Sequence, residues 1–389
     1  MQNDGTGTGG LDGLRAAIDR CDEDLVAVLR RRMDLSARVA APKAGTGRPV
    51  RDPAREAAVV ERVRALAGPD CAAPAESLVS TLMRVSRERQ YDILIGRGEE
   101  DFRAAAGLPA RADGTLSGVR SVSFAGDAGS WSALAARTLF PGARPVAAPS
   151  FAAACDLVSE GRADAAALPL ANTTGGPVDT VYRLLESGLR VVRSVDLEVR
   201  HCLAGVPGAG RAGVRTVASH PQALAQCSRA IRAAGWSEVP AENTAFAAAE
   251  AARRGDPSFA AICSPEAARE HGLAVLAADV CDTGVNATRF VAVSRDLVVT
   301  PDASRLGLLL RLPDRPGALA AALDLFVDRS LNLSSICSRP VPERPWEYAF
   351  AIDVDAPALD PAALAAVCQL SRELPFLRVL GWYGTGPAV

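Results

Sequence analysis

Apolar side chains recur at steps of three and four residues over the segment from residue 11 to residue 39. This spacing places them on one face of an α-helix of about 30 residues. The stripe consists of Leu11, Leu14, Ile18, Leu25, Leu29 and Val39. One helix of this length cannot bury its apolar face alone, so the stripe predicts that a partner subunit packs against it.

The rest of the first block is also predicted to be helical. A second helix is expected to begin at Asp52 and Pro53, because an acidic acceptor caps helix starts and proline is favoured in the first turn. A third is expected from about residue 75 to residue 95. Residues 11–95 thus form an all-helical block. Residues 96–118 have turn-forming residues and weak periodicity, and are interpreted as a linker.

Residues 119–299 alternate between short apolar runs and Ala-rich stretches. The runs SVSFAG, ADAAALPL, VRTVAS, FAAICS and RFVAVS are predicted strands, and the stretches between them are predicted helices. This alternation predicts an α/β fold with mostly parallel sheets. Two such subdomains, joined near residues 200 and 285, would leave a cleft between them.

The last block, residues 304–384, has a different pattern. RLGLLLRLP, LNLSSICSR, YAFAIDV and LRVLGWY are predicted strands, whereas PGALAAALDLFV and PAALAAVCQLSREL are predicted helices. The order βαββαβ is typical of the ferredoxin-like α+β fold. The chain is therefore predicted to be multidomain, with an all-α block, an α/β block of two subdomains and an α+β block.

Composition limits the class of partner. The net charge of −2 gives no strong field toward nucleic acid or an anionic membrane, so small-molecule substrates are expected. Nine dispersed cysteines without a CxxC pair predict reduced thiols in a cytoplasm. The first ten residues, MQNDGTGTGG, lack the basic start and apolar core of a signal peptide. No apolar run reaches membrane-spanning length.

One lysine, Lys43, stands among 43 basic side chains. Arg32 and Lys43 are eleven residues apart, which places them on one side of the first helix about 16 Å apart. Arg15 is rotated off that face, so only an antiparallel partner helix could bring it to the same pocket. Two cations within an apolar stripe indicate an anionic ligand such as a dicarboxylate. The alternative is that Arg32 is a snorkelling surface residue and Lys43 a remnant without a role.

Three segments of the helical block, LDGLRAAIDRCDEDLVAVLRRR, PKAGTGRPVRDPARE and SRERQ, resemble the all-helical chorismate mutase family. The resemblance implies a substrate site made of Arg15 from the partner subunit, Arg32, Lys43, Asp52, Glu56, Ser86 and Gln90. Lys43 and Gln90 would contact the ether oxygen that gains negative charge in the transition state. Arg15 and Arg32 would hold the two carboxylates.

Pro42 departs from the pattern expected beside Lys43. A proline inside a helix costs about 3 kcal/mol and disfavours helical angles in the residue before it. The helix is therefore expected to end or kink there, and a weakened mutase is an alternative.

The middle block contains three polar segments near strand ends: FAGDAGSWS, SHPQALAQC and NATRF. Taken singly, their glycines make turns, and a Thr-Arg pair is ordinary. His220, between Ser219 and Pro221 at a helix start, is interpreted as structural. Together with PLANTTGG, the segments resemble prephenate dehydratase across residues 119–296.

The resemblance implies roles for six residues of this block. Thr288 would be the catalytic group, whose hydroxyl protonates or hydrogen-bonds the departing hydroxyl of prephenate. Arg289 would hold a substrate carboxylate, next to Phe290 of the same TRF motif. Ser130, Asn172 and Thr173 would line the cleft. Ala171 stands where the family usually has glutamate, which predicts the loss of a carboxylate beside the cleft.

LPDRPGALAAAL and NLSSICSRP, in the last block, resemble the ACT regulatory domain attached to prephenate dehydratases. The resemblance implies that phenylalanine binds as an effector through Gly317, Ala318, Leu319, Ser338, Arg339 and Pro340. Cys337 replaces the usual glutamate and removes a charge near the expected ammonium group. A domain retained only for dimerisation is the alternative.

The three resemblances together imply a bifunctional chorismate mutase and prephenate dehydratase that acts in phenylalanine biosynthesis. They imply a homodimer, chorismate and prephenate as substrates, and no metal or organic cofactor. One alternative is a specialised prephenate-consuming enzyme that has lost one activity or changed its product, for example for a secondary metabolite. Another is a non-catalytic sensor of an aromatic precursor.

Overall fold

The computed structural model describes residues 9–44, 49–282, 284, 286–341, 344 and 347–386. It does not extend to the side chains of residues 9, 41, 43, 44, 99–102 and 105. No helix in these ranges is both long enough and apolar enough to cross a membrane.

The first block is helical, as predicted, with α1 (Gly9–Ala44), α2 (Pro53–Ala67) and α3 (Ala72–Ala105). Asp52 caps α2, since its Oδ1 accepts a hydrogen bond from the backbone N–H of Arg55 at 3.0 Å, and Pro53 occupies the first turn. α1 runs through Pro42 and ends two residues later, at Ala44. α3 extends beyond residue 96, so the first part of the expected linker is helical, with a break at Gly98.

The α/β block begins with a larger subdomain. Its elements are β1 (Ser121–Ala125), α4 (Trp131–Leu139), β2 (Arg144–Ala148), α5 (Phe151–Ser159), β3 (Ala165–Asn172), β4 (Gly176–Pro177), α6 (Asp179–Glu186) and β5 (Arg190–Glu198). β1 pairs in parallel with both β2 and β3. Buried side chains of α4 and of these strands share one apolar cluster, which includes Phe124, Leu139 and Val195.

A smaller subdomain follows, built on its own five-stranded sheet. Its elements are β6 (Cys202–Gly205), β7 (Thr216–Ser219), α7 (Pro221–Gln226), α8 (Ser228–Ala234), β8 (Ser237–Pro240), α9 (Thr244–Arg254), β9 (Phe259–Cys263), α10 (Pro265–Glu270) and β10 (Ala274–Ala277). The strand order is β10-β6-β9-β7-β8. The chain then returns to the larger subdomain through β11 (Ala287–Ser294). The predicted crossings near residues 200 and 285 are confirmed.

The expectation of mostly parallel sheets is only partly correct. β11 lies between β3 and β5 and is antiparallel to both, because it enters the larger sheet from the opposite direction. The short strand β4 is also antiparallel to β3. In the smaller sheet, β6 is antiparallel to β9 and β10, whereas β7 is parallel to β8 and β9.

The last block has the predicted order βαββαβ. It consists of β12 (Arg305–Arg311), α11 (Ala318–Asp328), β13 (Asn332–Pro340), β14 (Tyr348–Asp355), α12 (Pro361–Glu373) and β15 (Phe376–Thr385). β15 pairs with β12 on one side and with β5 on the other. The sheets of the last block and of the larger subdomain therefore form one sheet, in the order β13-β14-β12-β15-β5-β11-β3-β1-β2.

The chain divides into two compact units that do not follow the order of the blocks. The first unit comprises the chain up to Ala106 together with Arg315–Ser330 and Pro361–Pro375, and so contains α1–α3, α11 and α12. The second unit comprises Gly107–Asp314, Leu331–Asp360 and the chain from Phe376, and contains both sheets.

Ion pairs connect the helices of the first unit. Arg84 of α3 contacts Asp324 and Asp328 of α11. Arg329, directly after α11, pairs with Asp92 of α3 at 3.0 Å. Arg87 of α3 pairs with Glu373 of α12 at 2.9 Å. α11 and α12 are thus bound to α3 by charged side chains that are mostly shielded from solvent.

The junction of β15 with β5 depends on a glycine. A Cβ atom added at Gly381 would lie 2.1 Å from the carbonyl oxygen of Val191, a distance that no side chain tolerates. The close approach of the two strands therefore requires glycine at this position.

We expect Gly381→Ala to lower the free energy of unfolding by about 2 kcal/mol, because the strands must separate to admit the methyl group. Urea denaturation followed by tryptophan fluorescence would measure this change. The matched control is Gly210→Ala, where an added Cβ meets no atom within 4 Å and φ is −116°. Equal stability of the two variants would contradict the close packing at this junction.

Candidate functional site

A cleft of about 510 Å³ lies between the two subdomains of the second unit. The larger subdomain contributes Ser130, Asn172 and Thr288, and the smaller one contributes His201 and Gln226. The sequence predicts a cleft at this place, between the two chain crossings. Ser130, Asn172, Thr288 and Phe290, which were predicted to belong to the dehydratase site, all line it.

Helix N-termini surround the cleft. Ser130, Ser150 and Asn243 line it, and each caps a helix by accepting a backbone N–H: Ser130 caps α4, Ser150 caps α5 and Asn243 caps α9. The free N–H groups and the positive ends of the helix dipoles at these positions favour anions. Among the described residues that line the cleft, none is Arg or Lys.

The Asn172 side chain has a fixed orientation. Its Oδ1 accepts hydrogen bonds from the backbone N–H groups of Thr174 at 2.9 Å and Gly175 at 2.7 Å. Since backbone N–H groups can only donate, the other atom of the amide must be Nδ2. Nδ2 donates to Asn286 Oδ1 at 2.8 Å and to Thr288 Oγ1 at 2.9 Å. The Thr288 oxygen thus accepts from Asn172, which leaves the hydroxyl hydrogen of Thr288 available to a ligand.

Three further residues extend this network, although the sequence did not single them out as site residues. Asn286 Nδ2 donates to Gln226 Oε1 at 3.1 Å, and Gln226 Nε2 donates to Thr174 Oγ1 at 2.6 Å. His201 Nε2 lies 3.2 Å from the same Gln226 Oε1. Asn286 could have been found from its position two residues before Thr288. Gln226 belongs to the SHPQALAQC segment singled out in the sequence, whereas His201 carried no such signal, and only the fold brings the two side chains together.

Thr173 and His220 have roles in the backbone structure around the cleft. Thr173 Oγ1 accepts a hydrogen bond from the backbone N–H of Ala287 at 3.0 Å, and the Thr173 N–H donates to the Ala287 carbonyl at 2.9 Å. These bonds fasten the turn after β3 to the start of β11. His220 Nδ1 accepts from the backbone N–H of Gln222 at 3.2 Å and caps α7. This geometry agrees with the structural interpretation of His220.

Arg289 is not brought to the cleft. Successive residues of a strand point to opposite faces, so Thr288 and Phe290 share the cleft face and Arg289 has the other. Its guanidinium makes two hydrogen bonds with Asp196 of β5, at 2.7 and 2.9 Å. The bonds from Arg289 lower the pKa of the Asp196 carboxyl. In this position Arg289 does not face the cleft, where it was expected to hold a substrate carboxylate.

Ala171 also lies away from the cleft. It is paired in register with Arg289, and cross-strand partners share one face of a sheet. Its side chain is therefore on the face opposite Asn172, and a glutamate at this position would face Arg289. Ala171 does not remove a carboxylate from the cleft, contrary to the expectation from the sequence.

In the first unit, α1 and α3 bring together three of the predicted mutase residues. Arg32 donates to the Leu82 carbonyl at 2.6 Å and to Ser86 Oγ. Gln90 Nε2 donates to the Ser86 carbonyl at 3.3 Å and to Ser36 Oγ at 3.1 Å. Ser36, one turn after Arg32, was not predicted. Burial lowers the pKa of Arg32, and no carboxylate in the described part of the chain neutralises it.

The remaining mutase residues are placed differently. Asp52 is exposed and caps α2, and Glu56 one turn later forms ion pairs with Arg51 and Arg87. Arg15 is exposed, and its ion pair among the described residues is with Asp12, at 3.3 Å, so within that part of the chain it is not brought to Arg32. Lys43 lies in the last turn of α1, but its side chain is outside the described residues.

The predicted effector residues fall into two segments. Gly317, Ala318 and Leu319 stand at the start of α11, where Gly317 adopts a φ of 75°. Ser338, Arg339 and Pro340 end β13. Arg339 is buried, bonds to the side chain and the carbonyl of Asp179 at 2.7 and 2.8 Å, and lies over the Tyr182 ring. Its charge is thus neutralised by the start of α6.

Comparisons with known proteins agree with this arrangement. Residues 14–91 match the chorismate mutase type II family, residues 122–297 match prephenate dehydratase and residues 307–372 match the ACT domain. The chain is 36% identical over 288 residues to an arogenate dehydratase/prephenate dehydratase of Arabidopsis thaliana, which covers 70% of this chain and 73% of that protein.

A solved structure and a second relative extend the similarity. A prephenate dehydratase of Arthrobacter aurescens in complex with L-Phe is 32% identical, with a TM-score of 0.63 over 69% of this chain and 92% of that one. The bifunctional chorismate mutase/prephenate dehydratase of Escherichia coli is 30% identical over 381 residues, which is 96% of both proteins. The chain therefore belongs to the family of bifunctional chorismate mutase/prephenate dehydratases, enzymes that join an isomerase and a lyase.

Proposed function

We propose that the chain converts chorismate to prephenate in its helical block and prephenate to phenylpyruvate in the cleft of the second unit, in the biosynthesis of phenylalanine. The observation that carries the second assignment is the free hydroxyl hydrogen of Thr288, which follows from the bond that Asn172 donates to its oxygen. Prephenate loses its carboxylate as CO2 together with the ring hydroxyl. A donor aimed at that hydroxyl stabilises the negative charge that grows on it as the C–O bond breaks.

The cleft would hold the two carboxylates of prephenate without a cationic side chain. The N-termini of α4, α5 and α9, capped by Ser130, Ser150 and Asn243, supply backbone N–H groups and the positive ends of three helix dipoles. Trp131 and His201 line the same cleft, and their buried Nε1 and Nδ1 atoms have no hydrogen-bond partner in the part of the chain that the structure describes, which supports a polar ligand there. Arg289 would act on the other face, where its pair with Asp196 fixes β11 against β5.

In the helical block we assign carboxylate binding to Arg32 and, from a partner subunit, to Arg15. Arg32 supports this assignment because its partly buried charge has hydrogen bonds but no carboxylate in the described residues. Lys43 and Gln90 would contact the ether oxygen, with Asp52, Glu56 and Ser86 around the substrate. Both Gln90 Nε2 bonds are taken by Ser36 and Ser86, so substrate binding exchanges one of them for the ether oxygen.

The oligomer we propose is a homodimer formed through α1. Leu14 and Ile18 are 64% and 60% exposed in the single chain, and other apolar residues of the same helix are similarly exposed. A second copy that covers this face would bury it and bring its own Arg15 toward Arg32. The cytoplasm is the location we propose, because all nine cysteines are free thiols.

L-Phenylalanine is the effector we propose, and the match to the ACT domain at residues 307–372 together with the L-Phe complex of the Arthrobacter aurescens relative supports it. Ser338, Arg339, Pro340 and the segment 317–319 remain the candidate residues. Because Arg339 is already paired with Asp179, it would act by holding β13 to α6 rather than by binding the carboxylate of the effector.

Replacing Thr288 tests the dehydratase assignment. We expect Thr288→Ala to lower the rate of phenylpyruvate formation by about 10²–10⁴-fold, because the donor to the departing hydroxyl is lost. Thr288→Ser should retain most of the rate. Liquid chromatography of chorismate incubations would follow both reactions, and chorismate consumption should be unchanged in both variants. Phenylpyruvate formed by Thr288→Ala at the wild-type rate would overturn the assignment, and a non-aromatic keto acid from the wild type would favour the alternative product.

Subunit complementation tests the homodimer and the role of Arg15 together. Arg15→Ala and Arg32→Ala should each lack mutase activity. When the two variants are unfolded, mixed in equal amounts and refolded, half of the dimers are mixed and each of these has one intact site. About a quarter of the wild-type activity should then return. If Arg15 serves its own chain, mixing restores nothing.

Restoring the usual glutamate tests the effector site. We expect Cys337→Glu to bind L-phenylalanine about tenfold more tightly than the natural chain, since a carboxylate near the ammonium adds one charge-assisted hydrogen bond. Isothermal titration calorimetry would measure the two dissociation constants, with Cys337→Gln as the uncharged control. Identical affinities for all three proteins would show that the ammonium lies elsewhere.

A further inference from the structure

His201 is a buried residue of the cleft wall, and one of its two ring nitrogens makes no hydrogen bond within the described residues. It follows β5 at the first crossing between the subdomains, is 3% exposed and lines the cleft. Its Nε2 contacts Gln226 Oε1, and its ring lies edge-on to Trp131 at 6.3 Å. Its Nδ1 has no hydrogen-bond partner within the described residues. A buried polar atom without a hydrogen-bond partner lowers the stability of the fold by about 1–3 kcal/mol. This cost indicates that a ligand supplies the missing hydrogen bond.

The tautomer of His201 follows from the amide network. The two backbone N–H groups that bind Asn172 Oδ1 fix that amide, so Asn286 Oδ1 is an acceptor and Asn286 Nδ2 is the donor to Gln226. Gln226 Oε1 is therefore an acceptor, and the His201 nitrogen that faces it must carry a hydrogen. In the neutral ring the proton is thus on Nε2, and Nδ1, which has no partner within the described residues, carries a lone pair.

The chemistry of the cleft requires a proton. When prephenate, a dianion, loses CO2 and its ring hydroxyl, the electron pair of the C–CO2 bond completes the aromatic ring and the C–O pair leaves with the oxygen. One proton must join that oxygen to give water, and the product phenylpyruvate is a monoanion. Thr288 can donate a hydrogen bond, but an alcohol is far too weak an acid to give up the proton itself.

Few groups in the cleft can supply this proton. The ionisable side chains among the described residues that line it are His201, His220 and Glu242. His220 Nδ1 is occupied as the cap of α7, and Glu242 is exposed to solvent. The described contacts of the His201 ring are with uncharged groups, Trp131 of α4 and Gln226 of α7. Its backbone carbonyl accepts from the N–H of Val280 at 3.0 Å, and its backbone also bonds to the Cys281 thiol, whose pKa is lowered to about 7, chiefly by the hydrogen bond with Cys227.

We propose that His201 is a catalytic residue of the dehydration and delivers a proton from Nδ1 to the departing hydroxyl. The ring takes up the proton from solvent when the dianionic substrate enters. As the C–O and C–CO2 bonds break, the Nδ1 proton joins the oxygen, water and CO2 leave, and His201 returns to its neutral form. Thr288 donates a hydrogen bond to the same oxygen and orients it. This inference rests on the proposed dehydratase function.

Burial supports the first step of this sequence. In the empty cleft, burial lowers the pKa of His201, although the hydrogen bond with Gln226 raises it in part. The ring is therefore neutral at pH 7 and needs no counter-charge. Two negative charges brought into the same cleft stabilise the imidazolium, so proton uptake is coupled to substrate binding.

His201→Gln tests the proposal, since glutamine can make hydrogen bonds but cannot transfer a proton. We expect kcat for phenylpyruvate formation to fall by about 10²–10³-fold with little change in KM. The wild-type kcat should decrease as pH rises through the pKa of His201 in the complex, and the variant should show no such decrease between about pH 6 and pH 9. In the free protein, ¹⁵N spectra of the histidine rings should show His201 as the Nε2–H tautomer.

Two controls make the outcome specific. Mutase activity of the same variant reports whether the chain is folded, and His271→Gln removes a histidine that pairs with Asp127 and does not line the cleft. His271→Gln should keep the wild-type rate of dehydration. A His201→Gln variant with unchanged kcat and an unchanged pH profile, or with only a raised KM, would overturn the proton-transfer role and leave the dehydratase function standing. Failure of the wild-type protein to make phenylpyruvate would instead overturn the function itself.

Discussion

Two backbone N–H groups in the turn after β3 determine which atoms of the hydrogen-bond network in the cleft are donors and which are acceptors. They bind Asn172 Oδ1, and this single choice fixes the direction of every hydrogen bond that follows, through Asn286 and Gln226 to His201 and separately to Thr288. The turn therefore places a donor hydrogen at Thr288 and a lone pair at His201 without any charged side chain. A network in which each amide has only one allowed orientation is also rigid, which suits a site that must hold a reactive dianion in one position.

β11 is the element that joins this network to the rest of the second unit. Its cleft face carries Thr288 and Phe290, and its other face carries Arg289, whose bidentate pair with Asp196 secures it to β5. β3 flanks it on the opposite side with the turn that holds Asn172. Because β5 also pairs with β15, the strand that carries Thr288 is two positions away from β15 of the ACT domain in one continuous sheet. The Thr288 hydroxyl is thus held on a strand that is paired on both sides.

Features that depend on a few neighbouring residues could be predicted from the sequence. The face of a strand on which a side chain lies, and the contacts between distant segments, could not. Asp52 and Pro53 identify the start of α2 because a cap acts within one turn, and the five apolar runs become β1, β3, β7, β9 and β11. The family resemblance identifies the TRF segment, but it does not say which face each residue takes, so Arg289 and Ala171 were expected at the cleft. The direction of β11 depends on the chain returning from the other subdomain, and no periodicity encodes that.

The contributions of Gln226 and His201 could not be predicted for the same reason. They lie 62 and 87 residues before Thr288 in the chain, and their roles depend on hydrogen-bond directions that exist only once the network is assembled. Ser36 was not predicted to be a site residue, although it is one helical turn from Arg32, because a serine inside a helix does not by itself indicate a site. Pro42 was expected to end or kink α1, whereas the described part of the helix runs through it to Ala44.

The ion pairs of Arg87 limit how the chain can be divided into fragments. Its guanidinium is shared between Glu56 of α2 and Glu373 of α12, so one cation balances a carboxylate from the amino-terminal block and another from the carboxyl-terminal block. A chain cut after residue 303 would lack α11 and α12, and with them Asp324, Asp328 and Glu373. Arg84 would then keep Glu88, and Arg87 would keep Glu56, as acidic partners. The arginines of α3 would thus lose part of their acidic partners in such a fragment, which makes the isolated amino-terminal fragment a poor substitute for the same helices in the intact polypeptide.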